Sequence, residues 1–309
     1  MTKIRAAVVQ DAPVGFDREA TLDKVEGLLG KAVDAGASLV LFPEAFVSAY
    51  PSGLDFGARV GSRTPEGREM FRRYYESAVD VPGPDTERIG ELCRDKGVDL
   101  VLGVIEREGG TLYCTILYFS RDGRLLGKHR KLVPTACERL VWGRGDGSTL
   151  TVVDTGQARV GAAICWENYM PLFRTTLYAK GVQIYCTPTV EDRDVWQSTV
   201  RHIAVEGRCF VLNAVQYACR RDYPADYPSK DGDDPDTLMI RGGSCIVDPF
   251  GEVLAGPVYE EEVVLTADLD LDQIPRGKYD LDSVGHYSRP DVFQLRVDER
   301  PQRIDIVHD

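Results

Sequence analysis

Residues 159–168, Arg-Val-Gly-Ala-Ala-Ile-Cys-Trp-Glu-Asn, contain an apolar run that leads into Cys165. Short apolar runs of this kind are typical of buried β-strands. A helical pattern over residues 172–180 and a second apolar run over 182–186 follow it. The order strand, helix, strand is typical of a layered α/β fold, so we predict a strand over 159–165 that ends at the cysteine.

The same alternation continues in both directions along the chain. Further helices are predicted over residues 18–34, 86–96 and 196–206. Further strands are predicted over residues 4–10, 38–43, 98–105, 112–120, 125–131, 182–186, 209–216, 244–247, 252–254 and 262–268. Mixed sheets with helices outside them are therefore expected. Residues 220–241, rich in Asp, Pro and Tyr, are predicted to form a long polar loop that is either a lid or a surface excursion.

Three polar residues stand at the ends of such runs. Glu44 follows the apolar residues 38–43, Lys131 ends the strand predicted over 125–131, and Cys165 ends the strand predicted over 159–165. Taken singly, each has an ordinary structural explanation: a solvated edge or helix cap, a surface charge, and a buried core thiol. Together they are the carboxylate, cation and thiol of a cysteine hydrolase that has no catalytic histidine.

Short sequences around these residues resemble those of a known family. Phe-Pro-Glu-Ala-Phe at 42–46, His-Arg-Lys-Leu-Val-Pro-Thr at 129–135 and Cys-Trp-Glu-Asn at 165–168 occur in the order found in the nitrilase superfamily of carbon–nitrogen hydrolases. The resemblance extends over nearly the whole chain. Cys-Trp-Glu-Asn, together with residues 138–147, resembles the branch that hydrolyses nitriles themselves. The resemblance implies a four-layer α-β-β-α sandwich, which periodicity alone does not distinguish from other α/β architectures.

The length and the resemblance also bear on domains and assembly. A chain of 309 residues can bury one large core, and we predict a single domain over 1–309. Its residues 280–309 are expected to form a C-terminal tail used in subunit contacts. The resemblance implies a homo-oligomer, with residues 170–180 and 196–206 as the expected interface, and a dimer or short assembly is favoured over long filaments.

The expected reaction uses all three residues. Glu44 takes the proton of Cys165, which attacks the nitrile carbon, and Lys131 stabilises the charge that develops in the tetrahedral intermediate. Burial beside Phe42 and Phe46 is expected to raise the pKa of Glu44, whereas Lys131 opposes that rise. One nitrile then consumes two waters, through a thioimidate and a thioester, and yields the carboxylic acid and ammonia.

Other residues are assigned supporting roles. The resemblance implies Glu138 as a second glutamate that positions substrate or water. Trp166 is a candidate backbone donor to the developing anion, and Glu167 a supporting residue that pairs with a neighbour. Tyr50 and Tyr169 are candidate substrate contacts. The sequence over 48–57 resembles that of several nitrilases and favours aliphatic or arylaliphatic nitriles.

Three alternative functions remain open at this stage. An amidase would use the same three residues on an amide, and a cyanide dihydratase would accept only the smallest nitrile. A catalytically silent assembly protein would use the fold for binding, although the intact Glu44, Lys131 and Cys165 argue against it.

Composition excludes several other classes. A formal net charge of -12 argues against nucleic acid or an anionic membrane as a partner. No apolar run reaches the length of about 18 residues that a membrane span requires. The four histidines show no metal-ligand spacing, so no metal or other cofactor is expected. The eight cysteines form no CxxC pair, which indicates reduced thiols in a cytoplasmic protein.

Overall fold

The computed structural model describes residues 3–229 and 232–302. Within these ranges lie six α-helices: α1 (Arg18–Asp34), α2 (Pro65–Glu76), α3 (Pro84–Lys96), α4 (Pro171–Ala179), α5 (Val195–Gly207) and α6 (Gln273–Gly277). The strands are β1 (Lys3–Gln10), β2 (Leu39–Leu41), β3 (Ala58–Arg59), β4 (Ser62–Arg63), β5 (Val79–Asp80), β6 (Asp99–Glu108), β7 (Thr111–Phe119), β8 (Leu125–Arg130), β9 (Val152–Asp154), β10 (Arg159–Ala162), β11 (Ile184–Thr189), β12 (Phe210–Val215), β13 (Tyr217–Cys219), β14 (Leu238–Val247), β15 (Val253–Tyr259) and β16 (Val263–Asp270). Short 3-10 turns cover Ala136–Leu140, Gly147–Thr149, Cys165–Tyr169 and Arg220–Asp222.

Most strands belong to two mixed sheets. The first has the order β16-β1-β2-β6-β7-β8, with β5 beside β6. The second has the order β13-β14-β12-β11-β10-β9, with β15 beside β14. The strands β1, β2 and β6 run parallel in the first sheet, as do β10, β11 and β12 in the second. Side chains that follow parallel strands therefore lie at the same edge of each sheet, where ligands bind in open α/β sheets.

The two sheets pack face to face, with helices outside. One buried apolar cluster joins the inner faces and includes Val8 and Leu41 from the first sheet and Ile184 and Leu212 from the second. A second cluster packs α1 and α3 on the outer face of the first sheet. A third packs α4 and α5 on the outer face of the second. The α-β-β-α architecture implied by the resemblance is thus confirmed.

Helix α1 shows why the strongest patterns are predictable. Its five apolar residues at helical spacing are all buried, and it begins where the side chain of Asp17 accepts a hydrogen bond of 3.0 Å from the backbone N–H of Ala20. Helix α2 shows the reverse case, because the sequence analysis did not predict it. Tyr74 is buried and Met70, Phe71 and Tyr75 pack beside it on the inner cluster, so the apolar residues occupy only the second half of the helix, too short a stretch for periodicity to detect.

The prediction of a polar loop over 220–241 was wrong in two respects: the loop ends earlier than predicted, and part of it is buried. Strand β14 begins at Leu238, inside that range. Arg220 is buried, and its guanidinium donates to the backbone carbonyls of Pro224, Ala225 and Tyr227. Because the loop itself supplies these carbonyl acceptors, the charged side chain of Arg220 can be buried. The polar composition of the loop does not reveal this burial. Residues 230 and 231 lie outside the described residues.

The strand that leads to Cys165 is shorter than predicted. Strand β10 ends at Ala162, and Cys165 opens a 3-10 turn with a left-handed φ of 51°. The apolar run continues beyond the strand because Ala163 and Ile164 are also buried, and the backbone N–H of Ala163 still donates to the carbonyl of Cys186 on β11 at 3.1 Å. No helix in the described part of the chain is long and apolar enough to cross a membrane.

Candidate active site

The structure brings Glu44, Lys131 and Cys165 together at the carboxyl ends of their strands. Glu44 follows β2, Lys131 follows β8 and Cys165 follows β10. The side chains of Glu44 and Lys131 are fully buried, and Lys131 Nζ donates to Glu44 Oε1 at 2.6 Å. The charges of both residues act on the thiol of Cys165, which is 5% exposed. Three segments that are far apart in sequence thus form one buried cluster.

The backbone is bent sharply at two of these positions. Cys165 and Ala45, the residue after Glu44, have φ values of 51° and 50°. A left-handed conformation at a non-glycine residue costs about 1 kcal/mol. Gly103 lets the neighbouring strand approach, because a Cβ there would lie 2.9 Å from Glu44 Cα and 2.0 Å from Pro43 O. Strain of this kind clusters at functional sites. Here the two bends fix the side chains of Cys165 and Glu44 relative to the edge of the sheet.

Asn168 stabilises the turn that carries the cysteine. Its Nδ2 donates to the carbonyls of Ala163 and Cys165, each at 2.8 Å. Both bonds are buried, so they hold the backbone on either side of the thiol. Its sequence position alone does not reveal this role.

A second carboxylate holds the lysine from the other side. Glu138 Oε2 accepts from Lys131 Nζ at 2.8 Å and from the backbone N–H of Thr135 at 2.6 Å. Its Oε1 accepts from the hydroxyl of Tyr50 at 3.0 Å. The ammonium of Lys131 therefore lies between two carboxylates, and the predicted residues Glu138 and Tyr50 both belong to the cluster.

Burial determines the protonation of the cluster. The pKa of Glu44 is raised from 4.5 to about 7. Burial is the largest cause, Lys131 opposes the rise, and the charge of Glu138 adds to it. Burial lowers the pKa of Lys131, but Glu44, Cys165 and Glu138 more than offset this and hold it well above its ordinary value. The rise expected for Glu44 is thus found. Burial of the whole carboxyl group is its largest cause, and Phe42 and Phe46 pack against each other in the apolar cluster beneath α1 and α3.

The thiol of Cys165 is held in its neutral form. Burial and the charge of Glu44 raise its pKa well above the ordinary value, and Lys131 lowers it only in part. A neutral thiol is a weak nucleophile, so attack requires a base that removes its proton. The pKa of Glu44, near neutrality, suits that task.

One oxygen of Glu44 is free to accept a proton. Its Oε1 accepts from Lys131 Nζ and, at 3.5 Å, from the thiol of Cys114. Its Oε2 is buried and has no hydrogen-bond partner among the described residues. A buried acceptor without a partner costs about 1–3 kcal/mol, so its presence calls for an explanation. Proton acceptance from a thiol or a water supplies one.

A small cavity opens onto Cys165. Its volume is about 260 Å³. It is lined by Tyr50, Thr135, Glu138, Cys165, Trp166, Val190, Glu191, Asp192 and Arg193. A larger cavity of about 670 Å³ lies between residues 54–57 and α2 and contains none of the three clustered groups, so the smaller one is the candidate substrate pocket.

Trp166 and Tyr169 occupy different positions relative to this cavity. The indole Nε1 of Trp166 donates to Glu191 Oε2 at 2.7 Å, and its ring forms part of the wall. Tyr169 is 43% exposed and packs edge-on against Trp166 and Trp196, outside the residues that line the cavity. The structure therefore brings Tyr50 to the cavity but not Tyr169.

Sequence reasoning missed residues that the fold supplies from elsewhere. Cys114, on β7, contacts Glu44, and Thr189, at the end of β11, hydrogen-bonds Cys165. Residues 190–193 form the cavity wall directly after that strand end. A polar sequence at the end of an apolar strand was the available signal for residues 189–193. No comparable signal existed for Cys114, because it lies inside an apolar strand.

Metal ligands are not grouped in this structure. Across residues 3–229 and 232–302, no group of three or more His, Cys, Asp or Glu side chains is placed to hold a metal ion.

Comparison with known proteins agrees with this geometry. Residues 5–279 match the family model described as carbon-nitrogen hydrolase. The chain is 57% identical to the aliphatic nitrilase of Sinorhizobium fredii, over 98% of both chains. It is 54% identical to the bifunctional nitrilase/nitrile hydratase NIT4A of Lupinus angustifolius, over 96% of this chain and 87% of that protein. It is 52% identical to nitrilase 2 of Arabidopsis thaliana, over 98% of this chain and 91% of that protein.

Solved structures share the fold at lower sequence identity. Saccharomyces cerevisiae Nit3, a member of branch 10 of the nitrilase superfamily, has a TM-score of 0.71 at 22% identity over 93% of this chain and 97% of that chain. The NitFhit protein of Caenorhabditis elegans has a TM-score of 0.75 at 19% identity over 98% of this chain and 69% of that chain. With the family match and the relatives above, the chain belongs to the carbon-nitrogen hydrolases of the nitrilase superfamily and, within it, to the nitrilase branch.

Proposed function

We propose that the protein is a nitrilase that converts an organic nitrile to the carboxylic acid and ammonia, with Cys165 as the nucleophile. One observation carries the assignment of roles: in the cluster that contains a neutral thiol, Glu44 has a buried carboxylate oxygen that no other described residue hydrogen-bonds. The names of the relatives at 52–57% identity support the nitrile as substrate.

The first step forms a carbon–sulfur bond. Glu44 removes the proton of Cys165, the sulfur attacks the nitrile carbon, and the proton passes to the nitrile nitrogen. The product is a thioimidate on Cys165. Glu44 is suited to both transfers because its pKa of about 7 leaves it able to take and to return a proton near neutral pH.

The second step expels ammonia. A water adds to the thioimidate carbon, its proton is taken by Glu44, and a tetrahedral intermediate forms. The fixed ammonium of Lys131, held by Glu44 and Glu138, stabilises the negative charge that develops there. Glu44 passes that proton to the nitrogen, then takes the proton of the new hydroxyl group and passes it to the nitrogen as well. The carbon–nitrogen bond breaks, ammonia leaves with both protons of the water, and a thioester remains.

The third step releases the acid. A second water, deprotonated by Glu44, attacks the thioester carbon, and the carbon–sulfur bond breaks to restore the thiol. Glu138 and Tyr50 line the cavity and are joined by a hydrogen bond of 3.0 Å, so we assign them to the placement of substrate and water. The cavity of about 260 Å³ favours a compact substrate.

Product analysis tests this proposal. The purified protein is incubated with aliphatic, arylaliphatic and aromatic nitriles, with the matching amides and with cyanide, and ammonia and acid are measured. Acid plus ammonia from nitriles, lost in Cys165→Ala, is the expected result. Turnover of amides alone or of cyanide alone would assign the protein to those reactions instead, and no turnover of any compound would contradict an enzymatic role.

We further propose that the protein assembles with copies of itself. Large apolar side chains are exposed on α4, at the start of α5 and along the tail, with Leu172 at 70%, Val195 at 57% and Phe293 at 76%. Burial of such side chains between subunits would remove them from water. Residues 303–309 of the predicted tail lie outside the described residues. Light scattering on the purified protein tests the assembly, and a monomer at micromolar concentration would contradict it.

The compartment remains a proposal as well. All eight cysteines are free thiols, which supports a reducing compartment such as the cytoplasm. Fractionation of the native cells tests this placement, and recovery from an oxidising compartment would contradict it.

A further inference from the structure

One buried carboxylate joins the segment that carries Lys131 to the segment that carries Cys165. Glu167 accepts from the backbone N–H of Leu132 at 2.6 Å and from that of Ile164 at 2.8 Å. Its Oε2 also lies 2.9 Å from His129 Nε2. The Glu167 side chain therefore contacts two residues that lie within two positions of Lys131, Leu132 and His129. It also contacts Ile164, which is adjacent to Cys165.

The histidine and the glutamate form a closed unit. His129 Nδ1 lies 3.0 Å from the carbonyl oxygen of Thr149, which can only accept, so this nitrogen carries a hydrogen. A contact of 2.9 Å between Nε2 and a carboxyl oxygen also requires a hydrogen between them. The two side chains are 1% and 0% exposed, and Phe173 covers the imidazole edge-on with its ring centroid 5.2 Å away. Water does not replace either partner, so the contact is fixed.

We propose that Glu167 and His129 are positioning residues that hold the ammonium of Lys131 and the thiol of Cys165 at the separation the reaction requires. Neither residue lines the cavity, so both act through the residues that they hold. This inference rests on the proposed nitrilase function. Because small misplacements of reacting groups lower the rate of chemistry more than they lower binding, loss of the pair should lower kcat and leave KM nearly unchanged.

The same strand supplies a matched control. Along β8 the side chains of Lys128 and Arg130 point away from those of His129 and Lys131, because successive residues of a strand alternate. Both contact Glu106, whose side chain is 1% exposed. Glu106 lies on β6, so Glu106→Gln weakens a buried ion cluster that joins β6 to β8 on the face away from the cavity.

The experiment compares Glu167→Gln, His129→Gln, the double variant and Glu106→Gln. Steady-state kinetics, melting temperature and the rate at which iodoacetamide alkylates Cys165 are measured across pH, with alkylation read on the Cys165 peptide by mass spectrometry. The pH dependence should report Glu44, which interacts with Lys131, Glu138, Cys114 and Cys165. Weaker contact with Lys131 should move its titration to higher pH, because that lysine lowers the pKa of Glu44.

We expect each single variant to lower kcat about 10- to 100-fold with KM within about threefold. The double variant should lose no more than the worse single one, because the two residues act as a unit. The alkylation rate of Cys165 falls as the pH is lowered, and the pH at which this fall occurs (the acid limb) should be higher in these variants than in the parent. In Glu106→Gln it should be unchanged. Where Glu167→Gln does not fold, His129→Gln alone is compared with Glu106→Gln.

Three results would overturn the inference: losses that multiply in the double variant, an unmoved acid limb, or a loss of kcat no greater than in Glu106→Gln at equal melting temperature. The alkylation measurements need no substrate. If the parent protein hydrolyses no nitrile, the proposed function fails, while the alkylation rates still decide whether the pair positions Cys165.

Discussion

Buried ion pairs lie on both faces of β8, but they differ in whether every carboxylate oxygen has a hydrogen-bond partner. On the outer face, Glu106 accepts from Arg130 at 2.6 and 2.8 Å, from Lys128 and from Thr115, so both of its oxygens have partners. On the cavity face, Lys131 contacts Glu44 and Glu138, yet one buried oxygen of Glu44 has no hydrogen-bond partner in the described part of the chain. A satisfied cluster stabilises the fold, whereas an unsatisfied one beside a cavity and a thiol is available for chemistry.

The largest expected effect follows removal of the nucleophile. Cys165→Ala should lower kcat by about 10⁴-fold or more, because no other group can form the covalent intermediate. The melting temperature should change little, since the thiol makes few polar contacts. Ammonia release and thermal melting measure the two quantities. Hydrolysis within tenfold of the parent rate would remove Cys165 from the mechanism.

Removal of the base is the next largest change. Glu44→Gln keeps the volume of the side chain but cannot accept the thiol proton, so kcat should fall by about 10²- to 10⁴-fold. Ammonia release measures the loss, and circular dichroism checks that the fold is retained. A rate near that of the parent would assign proton transfer to another group.

The pH profile sharpens the comparison further. Glu44 must be ionised to act as a base, so kcat/KM should fall about tenfold per pH unit as the pH drops below about 7. The raised pKa has a consequence for stability: the stability that this residue contributes is full below about 4.5 and is lost as the pH rises through about 7. Initial rates between pH 5 and 9 test the activity limb. A flat profile across pH 6–8 would contradict the shifted pKa.

Tyr50→Phe should have a modest effect. It removes one hydrogen bond of 3.0 Å to Glu138. A bond of this kind contributes about 1 kcal/mol, or about fivefold in rate. Steady-state kinetics give the change, and Phe is the matched replacement because it retains the ring that packs on Trp142. An unchanged kcat/KM would show that this hydroxyl has no part in placing substrate or water.

The outer face should respond in the opposite way. Glu106→Gln leaves Lys128 and Arg130 with a weaker partner and should cost about 3 kcal/mol of unfolding free energy, with activity within about twofold of the parent. Chemical denaturation and ammonia release measure the two effects. A loss of activity as large as that of Glu44→Gln would show that the two faces are not functionally distinct.

Parts of this account were predictable from the sequence and others were not. The helix over 18–34 is found at the predicted residues because its burial follows a 3.6-residue period. Glu44, Lys131 and Cys165 were identifiable because the sequences around them resemble those of the nitrilase superfamily; their positions at strand ends alone would also fit ordinary structural roles. Helix α2 was missed because its apolar residues, Met70, Phe71, Tyr74 and Tyr75, are confined to its second half and interrupted by two arginines.

The contacts within the site could not be predicted from the sequence, because they join residues that are brought together only in the folded chain. Cys114 lies in an apolar strand and reaches Glu44 only because β7 pairs with β6 and β8. The loop after Arg220 has a polar composition, yet Tyr223 and Tyr227 are buried and donate to the carbonyls of Tyr50 and Ser52. Pairing across 173 and 175 residues of sequence leaves no local pattern to read.

The most direct test of the central claim is mass spectrometry of the enzyme quenched in acid during turnover of a saturating nitrile. We predict an added mass on the Cys165 peptide that matches the acyl or imidoyl group of the substrate, absent in Cys165→Ala. Turnover with no adduct on Cys165, or with the adduct on another residue, would contradict the account.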